Sequence, residues 1–190
     1  MPLLCCCAGR KPSDLGVGED GLLKAPPSSP NCATSDVRWP KDRTGQAASM
    51  AKLQSVEPFV IKGGDSDAAA AAWQQAQTTM RGWQRTVITE DDDTYMHCEC
   101  STALIGFTDD VELHLRPDAD GGGGGIIAVR SASRLGYGDM GTNKRRVEAI
   151  RGVLVAAGAV AEASGGKASL AAANSYTPPV DNDDDEEALD

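Results

Sequence analysis

The sequence predicts an α+β domain. Its antiparallel sheet has about five strands, two helices lie on one face, and the domain is flanked by an extended N-terminal arm and a disordered acidic C-terminal tail. Three observations predict this. Between residues 53 and 163, apolar positions recur with period 2 in several short runs and with helical period in two longer ones. The short runs follow one another across tight turns, which antiparallel pairing permits and parallel pairing does not. Charge also shifts at both ends of that stretch: residues 1–52 hold 7 basic and 5 acidic residues, 53–163 hold 10 and 16, and 164–190 hold 1 and 7. A chain of 190 residues fits one domain, at about 100–200 residues per domain.

The elements follow in order. Residues 1–13 form a Cys-rich flexible start, and 14–52 an arm interrupted by Pro26, Pro27, Pro30 and Pro40, whose apolar residues follow neither period. Ser55–Ile61 is a short strand, and Pro58 places it at an edge or bulge. Asp67–Gly82 is a helix carrying Ala69, Ala72, Trp73, Ala76 and Met80 on one stripe, with Asp65 and Ser66 as candidate caps. Arg85–Thr89 is a strand, closed by the acidic turn Glu90–Asp93. Thr94–Ser101 alternates, with Tyr95, His97 and Glu99 opposite Met96, Cys98 and Cys100. Asp110–Arg116 alternates more clearly, with Val111, Leu113 and Leu115 on one face and Asp110, Glu112, His114 and Arg116 on the other. The glycine loop 117–125 leads to a strand over Ile126–Arg134. Thr142–Ala161 is a helix with the stripe Val147, Ile150, Leu154, Ala157 and Ala161. The order is therefore β-α-β-β-β-β-α in a core spanning 53–163, and the acidic block in 164–190 repels itself and stays solvated.

A net charge of −10 excludes a general nucleic-acid binder, because phosphate neutralisation needs excess Lys and Arg. No apolar run reaches the ~18 residues of a membrane span. The start MPLLCCCAGRK lacks the basic and long apolar regions of a secretory signal. Cys5, Cys6 and Cys7 beside Leu3 and Leu4 are instead a candidate S-acylation cluster, since two or more acyl chains hold a soluble domain on a membrane. Cys98 and Cys100 are two apart on one strand face, and with the distant Cys32 they do not make the spaced pairs of a zinc site. They read as reduced thiols, and nothing in the sequence calls for a metal or cofactor.

The densest polar signal lies at 106–151. If the glycine loop closes a hairpin with Arg116 opposite Ile126, then Glu112 faces Arg130 and Asp110 faces Ala132. The first turn of the last helix holds Lys144, Arg145 and Arg146, which oppose the positive end of the helix dipole and demand compensation. Asp109, Asp110, Glu112 and Asp139 can supply it internally. A small anion can supply it externally, held by Arg130, Arg134, Ser131, Ser133 and Asn143 with the helix N–H groups. For catalysis, Ser131 and Ser133 lack a His partner, and adjacent Asp109 and Asp110 diverge in a strand. A hydrolase would have to draw on Asp110, Glu112 or His114.

Four segments together resemble a known family: DLGVGEDGLL (14–23), PSSPNCATS (27–35), FTDDVEL (107–113) and RSASRLGYGDMGTNKRRVEAIR (130–151). The resemblance is to domain of unknown function 1499. It carries over to Asp109, Asp110 and Glu112 in the strand motif, and to Arg130, Ser131, Ser133, Arg134, Gly136, Asp139, Gly141, Asn143, Arg145 and Arg146 in the long motif. Pro26 stands where the family's first motif begins with Cys, and Lys144 where Arg is more usual. Many bacterial members look like lipoproteins with a lipidated Cys before the leader, which Cys5–Cys7 match in spacing. Plant and algal members are often assigned to plastids. The resemblance implies no activity. The expectation is a non-catalytic accessory or binding domain, cytoplasmic or peripheral to a membrane, with a plastid as the alternative by family analogy. A small-anion binding domain is the second expectation, and a hydrolase the third.

Overall fold

A computed structural model describes residues 8–38, 45–64, 67–102, 106–118 and 124–164. The candidate caps Asp65 and Ser66, the cluster Cys5–Cys7 and nearly all of the acidic tail lie outside the described residues.

Four strands form a continuous antiparallel meander: β3 (Thr86–Asp91), β4 (Tyr95–Ser101), β5 (Thr108–Pro117) and β6 (Gly125–Ser133). The alternation expected of β4 and β5 is the one observed. Met96, Cys98, Cys100, Val111, Leu113, Ile127 and Val129 turn to one face and join the apolar core. Glu112 lies opposite Arg130, Asp110 opposite Ala132 and Arg116 opposite Ile126. The hairpin closes through Gly125 at φ +132°, where a Cβ would fall 2.5 Å from the Arg116 carbonyl oxygen. Strand β3 runs on to Asp91, into the expected turn, and carries a bulge between Ile88 and Glu90.

The far edge of β6 is shared by two short antiparallel strands. The first, β1 (Cys32–Thr34), pairs with its second half. The other, β2 (Phe59–Val60), pairs with its start. The sheet thus has six strands rather than five, and β2 is shorter than Ser55–Ile61.

Helices α2 (Ala68–Arg81) and α3 (Thr142–Ala156) cover the apolar face. The buried side of α2 is Ala69, Ala72, Trp73, Ala76 and Met80. Helix α3 buries Val147, Ile150 and Leu154 but stops at Ala156, short of the expected Ala161. Gly158 takes φ +75° there, and the Gly158 and Ala159 amides turn back to the Val155 and Leu154 carbonyls. That frees Val160 to bridge Ile61 beside β2.

The largest difference lies in the arm. It carries β1 and a third helix, α1 (Gly45–Gln54), which the sequence reading placed in extended chain. This helix buries only Ala48, Ala51 and Gln54, too small a face for periodicity to register. The Gln54 amide donates to the carbonyls of Pro27 and Ser29 at 2.9 and 2.8 Å, tying the helix to the segment before β1. Upstream, residues 14–23 lie across the second face of the sheet. Leu23 is fully buried there with Tyr95 and Ala128, and Val17 packs against them. The sheet is therefore covered by helices on one side and by the arm on the other.

Candidate functional site

The charged residues singled out by sequence do not converge on one pocket. Strand alternation sends odd and even positions of β5 and β6 to opposite faces. The sheet therefore divides them into two networks.

The network on the arm side contains Asp110, Glu112, Arg130 and Arg134. Glu112 is fully buried. One of its oxygens accepts from the Gly16 amide at 2.6 Å and the Tyr95 hydroxyl at 2.7 Å. The other accepts from Arg130, which also reaches Asp14 at 3.2 Å. Burial, and after it the Glu112 carboxylate, push the Tyr95 hydroxyl well above its ordinary value. Asp110 takes a two-pronged grip from Arg134, through Nε at 2.9 Å and Nη2 at 2.7 Å. It also accepts from His97 Nε2 at 2.8 Å, while His97 Nδ1 meets the Thr89 hydroxyl. Burial raises the Asp110 carboxyl, but the Arg134 and His97 hydrogen bonds outweigh it and hold the group below the usual carboxylate value. The same Asp110 bond, stronger than the cost of burial, raises the Arg134 guanidinium. Glu99 lies directly opposite Asp110 across β4 and β5, a like-charge pair that destabilises a sheet. Arg134 resolves it by bonding both carboxylates. At the other end of this face, Arg116 pairs with Asp36 at 2.6 Å, and Asp36 accepts the Leu23 amide at 2.8 Å.

The network on the helix side contains Asp109, Ser131, Ser133, Asp139, Asn143 and Arg146. Asn143, in the first turn of α3, is fully buried and joins most of the others. Its carbonyl oxygen accepts from Ser131 at 2.6 Å and Arg146 at 2.8 Å. Its amide nitrogen lies 2.9 Å from the Asn31 carbonyl, Ser133 Oγ and Asp139 Oδ2. Arg146 also reaches Asp109. Asp139 accepts the Gly141 and Asn143 amides, both at 2.8 Å, and so places a negative charge where the helix dipole is positive. Gly141 makes the turn at φ +76°. Arg145 stands outside both networks, exposed, and binds the Met140 carbonyl and the Thr142 hydroxyl.

Several members were not singled out by residue in the sequence analysis, although Asp14 lies in the DLGVGEDGLL segment. Asp14, Asp36 and Asn31 act across 80 or more residues of chain: Asp14 meets Arg130, Asp36 meets Arg116, and Asn31 donates to the Ser133 and Gly136 carbonyls. Asn31 could have been found from the PSSPNCATS segment. Arg151 is another. Its guanidinium is buried, holds the Glu57 and Pro58 carbonyls at 2.6 and 3.0 Å, and lies over the Phe59 ring, fixing β2. The thiols of Cys32, Cys98 and Cys100 are buried and free. Burial pushes Cys32 up to about 12, which holds it in the un-ionised form.

Asp110 and Glu112 lie beneath the arm with their oxygens engaged, and His114 is half-buried one position along the same face. Burial and then the Arg116 charge lower the His114 imidazole. Among the described residues, no group of three or more His, Cys, Asp or Glu is arranged to hold a metal ion. No described helix is long and apolar enough to cross a membrane.

An α+β domain with one antiparallel sheet, held by ion networks on both faces and wrapped by its own N-terminal arm, is the class these features define. Residues 22–154 match the model of the family described as protein of unknown function, DUF1499, and the chain belongs to that family. The match begins inside the arm, so β1 and α1 are part of the family's domain. No curated protein and no solved structure matches the chain.

Proposed function

We propose that this chain is a non-catalytic accessory or binding domain, held at a membrane surface through its N-terminal segment. One observation supports the non-catalytic part. Three of the four candidate arginines are paired within the fold, Arg130 with Glu112 and Asp14, Arg134 with Asp110 and Glu99, and Arg146 with Asp109, while Arg145 is exposed. The three paired side chains are 1%, 5% and 10% exposed. The guanidinium groups act as ties between strands, arm and helix, and the carboxylates serve as their counter-ions. The membrane part is supported by Leu3, Leu4 and Cys5–Cys7 in the sequence. The test is fractionation of the native protein before and after hydroxylamine, together with thermal unfolding against phosphate, sulfate and acidic metabolites. Release by hydroxylamine and an unchanged midpoint with every anion are expected. A fully soluble native protein would overturn the anchor.

A small acidic ligand is the second reading, and a specific observation favours it. Arg130 Nε is buried without a hydrogen-bond partner among the described residues, and its second counter-ion, Asp14, is 43% exposed. An anion displacing Asp14 would meet a guanidinium with bonding capacity to spare. At 100 Kd such a ligand would add about 2.7 kcal/mol to stability, and Asp14→Asn should strengthen the effect.

A further inference from the structure

Four of the six large apolar side chains exposed among the described residues lie together, while Val60 on β2 and Val87 on β3 stand apart. Leu135, Tyr137 and Met140 sit within one loop between β6 and α3 and are 42%, 72% and 93% exposed. Leu53, 63% exposed, stands on α1 next to that loop. Two grooves establish the adjacency. One, of ≈ 700 Å³, places Tyr137 beside Met50. Another, of ≈ 660 Å³, places Leu53 and Lys52 beside Gly141 and Lys144.

The charge around these side chains is positive, although the chain as a whole carries −10. Lys52, Lys144 and Arg145 are exposed around the loop, and no ion pair engages them among the described residues. Asp139, the carboxylate in the groove beside Lys144, is turned onto the Gly141 and Asn143 amides. The arm begins at the same end. Gly9 lies so close to the loop that a Cβ on it would sit 2.8 Å from Arg134 Cβ and 3.1 Å from Leu135 Cγ. Exposed Arg10 and Lys11 follow Gly9, and Leu3, Leu4 and Cys5–Cys7 precede it in the sequence.

We propose that the Leu135–Met140 loop, with Leu53 and the rim of Lys52, Lys144 and Arg145, is a docking face for an anionic lipid surface. It rests on the peripheral-membrane reading above and supplies that reading with an orientation. Projecting apolar tips ringed by cations suit a headgroup layer, where Tyr places its ring at the boundary and its hydroxyl in water. The frame beneath is stiff, because Asn143, Asp139 and Asn31 fix both ends of the loop.

The full chain, purified without acyl groups, is tested by cosedimentation with vesicles of phosphatidylcholine alone and of phosphatidylcholine with phosphatidylserine. Binding to the serine-containing vesicles is expected, weakening with salt. Lys52→Glu/Lys144→Glu should lower the partition by at least about twenty-fivefold, from about fivefold for each cation lost. Tyr137→Ser/Met140→Ser should lower it at least about tenfold by removing inserted apolar surface. Both double variants touch exposed side chains, and an unchanged melting midpoint confirms that they fold. No binding to either vesicle, or partition unaffected by both variants, overturns the docking face. So does capture of a protein partner through Tyr137 and Met140 with no vesicle binding. Because the protein carries no acyl chain, failure here is distinct from failure of the hydroxylamine test, which concerns Cys5–Cys7 alone.

Discussion

Arg130 and Glu112 stand directly opposite each other on β6 and β5 and form an ion pair that the arm seals from water through Asp14 and the Gly16 amide. Removing one partner strands the other charge. Arg130→Met is expected to cost about 3–5 kcal/mol, and the double replacement Arg130→Met/Glu112→Leu to cost less than the sum of the two single losses, although it also takes the acceptor from the Gly16 amide and the Tyr95 hydroxyl. A urea-unfolding cycle over the four proteins measures the coupling. A double-variant loss equal to the sum of the two single losses would show that the pair does not act as a unit.

The pH dependence of stability follows from two groups on the same face. Asp110 has its folded pKa below the unfolded value, so its contribution is complete above about pH 4 and disappears as pH falls through the folded value. His114 is also lowered, by burial and then by Arg116. Its contribution is complete above about pH 6.5 and declines as pH drops below that. The unfolding midpoint should therefore fall in two steps on acidification. His114→Gln should remove the upper step and Asp110→Asn the lower, as read by thermal unfolding from pH 8 to pH 3. An upper step that survives in His114→Gln would assign it elsewhere.

Much of this arrangement was legible in the sequence, because its signals were local. The two faces of β4 and β5 came from alternation, and the register of β5 against β6 came from assuming that the glycine loop closes a hairpin. The stripe of α2 came from its spacing. What was not legible is long-range. Nothing near Asp14 announces Arg130, 116 residues away, and nothing near Asn31 announces Asn143. Strand β1 has three residues and α1 buries two alanines and a glutamine, so neither carries enough periodic surface to be told from loop. Pro26, Pro27 and Pro30 argued for an extended arm, and the same segment supplies carbonyls that Gln54 binds. The site was expected as one cluster because its residues are neighbours in sequence. Alternation along β6 already parts Arg130 from Ser131, as it parts Asp109 from Asp110, whereas the arm that covers one face and supplies Asp14 and Gly16 appears only in the structure.

Asn143 sets the position of α3 against β6 and β1. Asn143→Leu preserves volume but leaves the Asn31 carbonyl and the Ser131 hydroxyl without that partner. A loss of about 2–4 kcal/mol is expected from buried groups left unsatisfied. Asp139→Ala, which removes the acceptor of the Gly141 and Asn143 amides and one of three acceptors around the Asn143 side-chain nitrogen, should cost about 1 kcal/mol. Chemical denaturation ranks the two, and the reverse order would place the weight on the cap.

The arm is expected to contribute to stability, not simply to cover the sheet. Leu23→Ala should destabilise the fold by about 2–3 kcal/mol, toward the lower end for a buried leucine because its cluster is small. Limited proteolysis should then cut between residues 8 and 31 earlier than in the parent. Unchanged protection would show the arm to be held by Asp14 and Asp36 alone.

The two-sided placement of the carboxylates on β5 also bears on how the chain avoids mispairing. A slip of one position would present Asp110 and Glu112 to the hydrocarbon under the helices and would carry Val111 and Leu113 out against guanidinium groups. Few errors of alignment are penalised so heavily on both sides at once. The ionic rungs thus act against misalignment, because such a slip buries an unpaired charge.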